Sequence, residues 1–296
     1  MPTVTITPQE CRTLSQYIHE LCGITLDQSK AYLFESRLQP LLVACQCQTY
    51  DELYRKARQE PQQQISQQII DAISTHETSF FRDTAPFELL TGTLLPALLA
   101  QTPVPAPGTV PQLTIWSAAC ATGQEVYSLA MTLQEAPLDL RRYRIRILGT
   151  DISAAALAQA SAGLYNKVEM ARGLSPARIA RYFEPTGSSW RVKEELRSLV
   201  NFRQLNLLGA LHHLGAFDII FCRNVAIYFN QQDRLRLFQR LADHLRPTGA
   251  LVLGATESLQ GLSERYVRRL AQRVPYYQLL TTAAGIQEQT RPYGAT

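Results

Sequence analysis

The sequence lacks the glycine series that dinucleotide-binding sites use. A predicted buried strand, "LTIWSAA", leads into the turn "SAACATGQE", which has only Gly123 where such a site carries GxGxxG. Those three glycines let the backbone approach a pyrophosphate, so their absence disfavours NAD and related cofactors. A nicotinamide oxidoreductase is therefore a poor match to this chain.

Cysteine pairs with metal-ligand spacing are also missing. The six cysteines form no CxxC pair, and no histidine lies close to the nearest pair, Cys45 and Cys47. This spacing favours reduced thiols over a zinc site or a disulfide framework. We expect no bound metal.

Long apolar runs and a strong excess of charge are absent as well. The longest apolar stretches, "LLPALLA" and "ALVLGA", are too short to span a bilayer, and the amino terminus shows no basic segment before an apolar run. The 29 basic and 25 acidic side chains give a net charge of only +4, without a basic stripe. These features predict a cytoplasmic protein that neither inserts into membranes nor binds nucleic acid.

The 296 residues divide by pattern into two parts. As far as Leu99, apolar residues recur at helical spacing, with helix starts predicted at Thr7–Pro8 and after Thr49. The stretch "QTPVPAPGTVP" interrupts this pattern, because its prolines cannot donate hydrogen bonds. We predict a helical domain at 1–84, a connecting helix and proline-rich linker at 85–111, and a second domain at 112–296.

After the linker, predicted strands alternate with helices. The strands are "LTIWSAA", "RIRILGTD", "FDIIFC" and "GALVLGA", which predicts an α/β fold with a doubly wound parallel sheet. Ligands of such sheets lie at the carboxyl ends of the strands. Two segments break the alternation: residues 184–202 suggest a small antiparallel insertion, and "RYVRRLAQRVPYYQLLT" suggests a closing antiparallel strand or hairpin.

Polar residues follow several of these strands. Asp151 ends the second strand, where a carboxylate can accept both hydroxyls of a ribose; alternatively it caps the following helix. The turn after the first strand does not suit a pyrophosphate. A ribose contact at Asp151 therefore predicts S-adenosylmethionine (SAM), a nucleoside cofactor without phosphate. Asn206 and Leu207 follow a short strand and can read adenine, although the amide can also cap its loop. Arg223 and Asn224 end a buried strand, where they need polar partners.

Taken together, these motifs resemble the chemotaxis receptor methyltransferases of the CheR family, which transfer a methyl group from SAM to receptor glutamates. The resemblance spans nearly the whole chain and rests on several ordered motifs. They are "GITLDQSKAYLFESRL", "THETSFFRD", "WSAACATGQEVYSLAM", "GTDIS", "NLL", "FCRNVAIYF" and "LRPTGALVLGATES".

The resemblance implies a helical domain followed by a Rossmann-like class I methyltransferase sheet with a small β-subdomain. It also implies a monomer whose partners are the cytoplasmic helical domains of chemoreceptors, reached in part through the β-subdomain. Arg82 and Tyr228 would be the catalytic residues. The implied cofactor contacts are His76, Thr78, Arg82, Glu125, Asp151, Asn206, Leu207, Arg223 and Asn224.

The chain departs from the family at two positions, with His76 in place of the usual Asn and Gln124 in place of Glu. A neutral imidazole still offers one donor or acceptor, so binding should survive, and its charge can change near neutral pH. Within "THETSFFRD", Phe80 and Phe81 would pack the segment over the cofactor and exclude water. Alternatively, they are core residues that join the domains.

Methyl transfer to a carboxylate needs no general base, so the lack of a Ser/His/Asp or Cys/His arrangement does not count against an enzyme. Lys30, Arg37 and "YRKAR" are candidate contacts for an acidic receptor helix, unless they are solvated helix faces. Two further interpretations stay open. Besides a receptor methyltransferase, these are a cofactor-binding signalling adaptor without transfer activity and a methyltransferase for another substrate.

Overall fold

The computed structural model describes residues 4–101 and 108–280. The first part of the chain consists of helices. They are α1 (Pro8–Cys22), α2 (Ala31–Ala44), α3 (Tyr50–Gln59), α4 (Gln64–Ile73), α5 (Ala85–Leu89) and α6 (Leu95–Gln101).

The predicted helix starts are confirmed. The Thr7 hydroxyl accepts from the Glu10 N–H at 3.2 Å and the Glu10 carboxylate accepts from the Thr7 N–H at 2.9 Å, which forms a capping box before α1. Thr49 caps α3 through its hydroxyl, which accepts from the Glu52 N–H at 3.2 Å. Helices α1 to α4 bury a core of their own around Leu14, Phe34 and other apolar residues.

Residues 85–101, between the two parts, are helical. Helices α5 and α6 are joined by a π-helical turn, Leu90–Leu94, and occupy the region of the expected connecting helix. Residues 102–107 of the proline-rich stretch lie outside the described residues. The domain boundaries at 84 and 111 therefore stay predictions.

The second part is an α/β structure. Its strands are β1 (Gln112–Ala118), β2 (Arg144–Asp151), β3 (Leu164–Asn166), β4 (Phe183–Thr186), β5 (Ser189–Val192), β6 (Val200–Gln204), β7 (Phe217–Cys222), β8 (Leu245–Leu253), β9 (Tyr266–Ala271) and β10 (Val274–Leu279). Its helices are α7 (Gln124–Glu135), α8 (Ala154–Ala162), α9 (Lys167–Ala171), α10 (Pro176–Tyr182), α11 (Glu194–Arg197) and α12 (Gln231–Asp243).

Within the described residues the main sheet has the strand order β6-β2-β1-β7-β8-β10-β9. The first five strands in this order are parallel, and β10 pairs antiparallel with both β8 and β9, as predicted for the end of the chain. Alternate residues of β1 enter different cores, Ile115 on one face and Trp116 on the other. The sheet is therefore covered on both faces, as in other doubly wound folds.

The small antiparallel sheet is present, with the order β3-β5-β4, but its predicted extent is partly wrong. It begins earlier in the chain, at β3, and ends with β5. Strand β6, which we expected within the insertion, instead pairs parallel with β2 at the edge of the main sheet. Val200 and Phe202 of this edge strand are half-buried and its other residues are exposed, so its alternating pattern imitates that of an antiparallel strand.

Candidate functional site

A cavity of about 420 Å³ lies at the carboxyl ends of β1, β2 and β7. Strand β1 lies between β2 and β7, so the chain leaves it in one direction and later returns on its other side. Ligands of doubly wound sheets bind at this switch point, and the volume suits a small ligand. All ten residues predicted as contacts line the cavity: His76, Thr78, Arg82, Glu125, Asp151, Asn206, Leu207, Arg223, Asn224 and Tyr228.

The turn after β1 forms the floor of the cavity. Ala119 and Ala121 both have left-handed backbone conformations, with φ of 64° and 49°, so the chain folds back sharply here. Gly123 follows with φ of 93°, and a Cβ on it would lie 2.8 Å from the Ala160 Cβ. This glycine is therefore needed for the turn and for close packing against α8, not for a pyrophosphate.

Asp151 joins two turns at the end of β2. It is buried, and its Oδ2 accepts from the Ala121 N–H at 2.8 Å while its Oδ1 accepts from the Ser153 N–H at 3.0 Å. The alternative prediction that Asp151 caps α8 is wrong, because Ser153 is the cap and accepts from the Ala156 N–H. Each carboxylate oxygen has a second lone pair and can still accept from a ligand hydroxyl.

Arg223 forms a buried hub beside the cavity. Its Nη1 donates to Glu125 Oε2 at 2.9 Å, and its Nη2 donates to Asp83 Oδ2 at 2.8 Å and to the Arg82 carbonyl at 2.9 Å. The other oxygen of Glu125 accepts from the Ser117 hydroxyl at 2.7 Å. The guanidinium thus connects the end of β7 with the first turn of α7 and with the "THETSFFRD" segment. These hydrogen bonds and ion pairs offset the cost of burying its charge.

The polar half of "THETSFFRD" is held from two sides. Arg82 donates to the Glu77 carbonyl at 2.7 Å, and Arg37 from α2 donates to the Ile73 carbonyl at 2.5 Å and to the Thr75 hydroxyl at 3.2 Å. Arg37, a candidate receptor contact, therefore holds the start of this segment against α2. The Nε2 atom of His76 is buried and has no hydrogen-bond partner in the protein, although the residue lines the cavity. Such an atom is costly unless a ligand or water satisfies it.

Phe80 and Phe81 do not line the cavity, whereas Thr78 and Arg82 on either side of them do, so the two rings act by packing the segment down. Phe80 packs edge-on against Tyr165 and Phe183 of the small sheet, with ring centroids 4.9 and 5.5 Å apart. Phe81 packs against Phe87, with the Arg178 guanidinium 3.8 Å from its ring centroid. The two rings are core residues that anchor the segment from behind, as the alternative stated.

Two other predicted residues serve the packing of the helices against the sheet. Asn206 Nδ2 donates to the Leu21 carbonyl at 2.9 Å and its Oδ1 accepts from the Leu208 N–H at 3.0 Å. Leu207 is buried in the core and also lines the cavity. Asn206 therefore caps its own loop, as one alternative stated, and it retains one free N–H.

The loop after β7 carries Arg223, Asn224 and Tyr228. The Tyr228 carbonyl accepts from the Thr25 N–H at 3.0 Å, so a loop of the helical part closes the cavity next to the half-buried Tyr228 ring. The sequence analysis missed Glu257, whose carboxylate accepts from three consecutive N–H groups of this loop. An acidic residue three positions after Gly254, the glycine that follows β8, was the available signal.

Two cysteines line the cavity as apolar groups. Burial raises the pKa of the Cys22 thiol to about 11 and raises the pKa of Cys120 well above its usual range. Both thiols are therefore protonated at neutral pH and are not nucleophiles. The part of the chain that the structure describes also holds no group of three histidine, cysteine or acidic residues that could bind a metal ion.

No helix within residues 4–101 and 108–280 is both long and apolar enough to cross a bilayer.

Comparison with known families assigns both parts of the chain. Residues 9–74 match the family described as "CheR methyltransferase, all-alpha domain", and residues 76–274 match "CheR methyltransferase, SAM binding domain". The two matches cover most of the described chain and meet beside His76.

Curated relatives are similar over nearly their whole length. The chemotaxis protein methyltransferase Cher2 of Pseudomonas putida is 39% identical, with 84% of this chain and 90% of the relative covered. The chemotaxis protein methyltransferase of Vibrio parahaemolyticus is also 39% identical, with 90% and 95% covered. Chemotaxis protein methyltransferase 1 of Pseudomonas aeruginosa is 41% identical, with 84% and 90% covered. The chain belongs to the CheR family of SAM-dependent methyltransferases.

Proposed function

We propose that this protein transfers the methyl group of SAM to glutamate side chains in the cytoplasmic domains of chemoreceptors, forming glutamyl methyl esters. The main support is the cavity at the switch point, which is lined by the buried carboxylate of Asp151, the mostly buried carboxylate of Glu125, the Arg223 guanidinium and the half-buried Tyr228. The names of the curated relatives support chemotaxis as the process. We further propose that the enzyme acts in the cytoplasm as a monomer.

The residues around the cavity fit SAM. Asp151 has free acceptor capacity for ribose hydroxyls, Leu207 offers an apolar face for adenine, and Asn206 keeps one N–H for the edge of that base. The unpartnered His76 Nε2 and the free donors of Arg82 suit the polar amino-acid end. When bound, the sulfonium group supplies an electrophilic methyl carbon and a neutral thioether leaving group.

The side chains of the protein then have to align and desolvate the substrate rather than take up a proton. A glutamate with an ordinary pKa of about 4.3 is already ionised at neutral pH. Arg82 is suited to orient a carboxylate through its planar donors, and Tyr228 to border the methyl-transfer region and donate a hydrogen bond. Alignment and exclusion of water lower the barrier without a general base.

We propose that the receptor docks on basic residues of the helical part and on the small sheet. Arg37 donates to the Ile73 and Ser74 carbonyls and to the Thr75 hydroxyl. It is therefore a weaker candidate for a receptor contact than Lys30, whose side chain forms no such bond to the described residues. The cluster "YRKAR" lies on the partly exposed helix α3, where Arg55 pairs with Asp51 on the same helix. The small sheet β3-β5-β4 is the proposed second receptor contact.

Labelling with radioactive SAM tests the proposed reaction. The wild-type protein is incubated with labelled SAM and receptor cytoplasmic domains, and the product is treated with mild alkali. Glutamyl esters release volatile labelled methanol, whereas methylated lysine retains the label. Arg82→Ala should lower the rate about a hundredfold and Tyr228→Phe about tenfold, since each removes a donor from the site.

Circular dichroism must show that both variants remain folded. Label that resists alkali would indicate another substrate atom, and SAM binding without any transfer would indicate a signalling adaptor. Full activity of both variants would remove Arg82 and Tyr228 from the catalytic assignment.

A further inference from the structure

The carboxylate of Glu257 accepts hydrogen bonds from four backbone N–H groups beside the cavity. Its Oε2 accepts from Asn224 at 2.6 Å and from Gly254 at 2.9 Å, and its Oε1 accepts from Val225 at 3.1 Å and from Ala226 at 2.9 Å. We propose that Glu257 is a positioning residue that sets the conformation of residues 223–228 for cofactor binding and methyl transfer. This inference depends on the proposed function of that loop.

The arrangement is an anion nest filled by a side chain of the same protein. Three consecutive N–H groups point at one carboxylate, which is the backbone geometry that otherwise binds anions. An ionised carboxylate has about four acceptor sites, and backbone donors fill that number here. No cation of the described chain pairs with Glu257, and its side chain does not line the cavity. Its contacts are therefore those of a backbone support.

The backbone around Asn224 and Gly254 is tightly constrained. Asn224 has φ of 57°, a left-handed conformation that asparagine tolerates better than most residues. A Cβ on Gly254 would lie 2.7 Å from Glu257 Oε2 and 3.0 Å from the Asn224 nitrogen. Gly254, which follows β8, thus approaches the loop at Asn224 too closely for a larger residue. The Glu257 carboxylate lies between them and accepts from both.

Removing the negative charge should change the loop rather than the whole protein. A glutamine has a single acceptor oxygen and presents an NH₂ group to at least one of the backbone donors. Those donors would then lack an acceptor in a mostly buried place, which favours a different loop backbone. Arg223, Asn224 and Tyr228 all lie on this loop, so cofactor affinity and turnover should both suffer.

The test compares Glu257→Gln with Asp218→Asn in the full-length protein. Asp218 is a matched control, because its carboxylate also accepts from a backbone N–H, that of Thr114 at 2.7 Å, at the opposite end of the same sheet. SAM affinity is measured by calorimetry, and kcat and KM with a receptor cytoplasmic domain. We expect Glu257→Gln to weaken SAM binding and lower kcat, each about tenfold or more, with an unchanged KM for the receptor. Asp218→Asn should leave all three unchanged.

The outcomes separate this inference from the proposed function. A wild-type protein that does not bind SAM would refute the proposed function. A wild-type protein that binds SAM and methylates receptors, together with a Glu257→Gln variant of equal affinity and kcat, would refute the role of Glu257.

If Glu257→Gln does not fold, Gly254→Ala provides a second test, since its Cβ would displace the carboxylate while keeping the charge. A Gly254→Ala variant with wild-type affinity and kcat would likewise refute the inference. A fall of about tenfold in kcat would support it.

Discussion

At the scale of single residues, Arg223 is a predicted ligand contact whose hydrogen-bond donors are mostly taken up by other groups of the protein. Both of its terminal nitrogens bond to protein groups, and its Nε atom is buried without a partner. The side chain is almost fully buried, and so is most of Glu125, but Asp83 is about half exposed. The Glu125 pair should therefore contribute more to stability than the Asp83 pair.

Arg223→Ala tests this difference. The variant leaves Glu125 without its cation in a buried place, so we expect the free energy of unfolding to fall by about 3–5 kcal/mol in a urea titration. Arg246→Ala is the control, because its pair with Asp218 is partly exposed and should contribute about 1 kcal/mol or less. Equal losses in the two variants would contradict a structural role for Arg223.

Cysteine reactivity gives a second residue-scale prediction. All six cysteines are free thiols, as expected, and all except Cys45 are buried. With a pKa of about 11, Cys22 is ionised in roughly one molecule in a thousand at pH 8. Iodoacetamide at pH 8 should therefore modify Cys45 first in the native protein, and all six residues in urea. Mass spectrometry reads the modified positions, and rapid native labelling of Cys22 or Cys120 would contradict the prediction.

At the scale of elements, "THETSFFRD" connects three structures that the chain order keeps apart. Its polar side chains line the cavity, Phe80 packs into the small sheet, and the Phe81 N–H donates to Ser128 of α7 at 2.9 Å. Gly173, with φ of 94°, lets the segment after α9 approach the Phe80 carbonyl, since a Cβ would lie 1.8 Å from that oxygen. The small sheet therefore supports the segment that faces the cavity.

Phe80→Ala should destabilise the protein and loosen this segment. Truncating a fully buried phenylalanine costs about 3–5 kcal/mol, measured as the free energy of unfolding. SAM affinity should also fall, because Thr78 and Arg82 flank the lost anchor. Leu270→Ala is the control, as this side chain is 63% exposed and its loss should change stability by less than about 0.5 kcal/mol. Unchanged SAM affinity in folded Phe80→Ala would show that the anchor does not affect the cavity.

At the scale of the whole molecule, the helical part and the sheet part share the cavity. The Asn206 side chain bonds to Leu21, Gln67 bonds to the Ile152 carbonyl at 3.1 Å, and Ile24 pairs with Phe229 as an isolated bridge. His19 of α1 also lies 2.7 Å from Asp233 of α12. A ligand in this cavity contacts both parts and should stabilise them together.

Thermal unfolding tests this coupling. At SAM concentrations of about 100 times Kd, mass action adds about 2.7 kcal/mol to the free energy of unfolding, which corresponds to a rise in Tm of roughly 5 °C. NAD serves as the control and should leave Tm unchanged, because the turn at Gly123 does not suit a pyrophosphate. A shift with NAD, or a second transition that SAM leaves in place, would contradict a shared cavity.

Much of the fold and the candidate site was predictable from local patterns. Helical spacing marked α1 to α4, buried runs marked β1, β2, β7 and β8, and polar residues at strand ends pointed to Asp151 and Arg223. These features depend on near neighbours in the chain, so the sequence alone carries them. The ordered motifs of the sequence also point to the family without the fold.

The remaining features depend on contacts between distant segments, which no local pattern encodes. Strand β6 belongs to the main sheet because it pairs with the free edge of β2. Its alternating pattern does not distinguish this pairing from one in the small antiparallel sheet. Phe80 and Phe81 lie outside the cavity lining because they pack elsewhere, Phe80 against the small sheet and Phe81 against Phe87 and Arg178. Arg37 donates to the carbonyls of Ile73 and Ser74 and to the Thr75 hydroxyl, and Glu257 accepts from the loop after β7, some thirty residues earlier in the chain. The sequence determined which elements form and which chemistry the site contains, whereas tertiary packing decided which polar groups are already satisfied by the protein and which remain for a ligand.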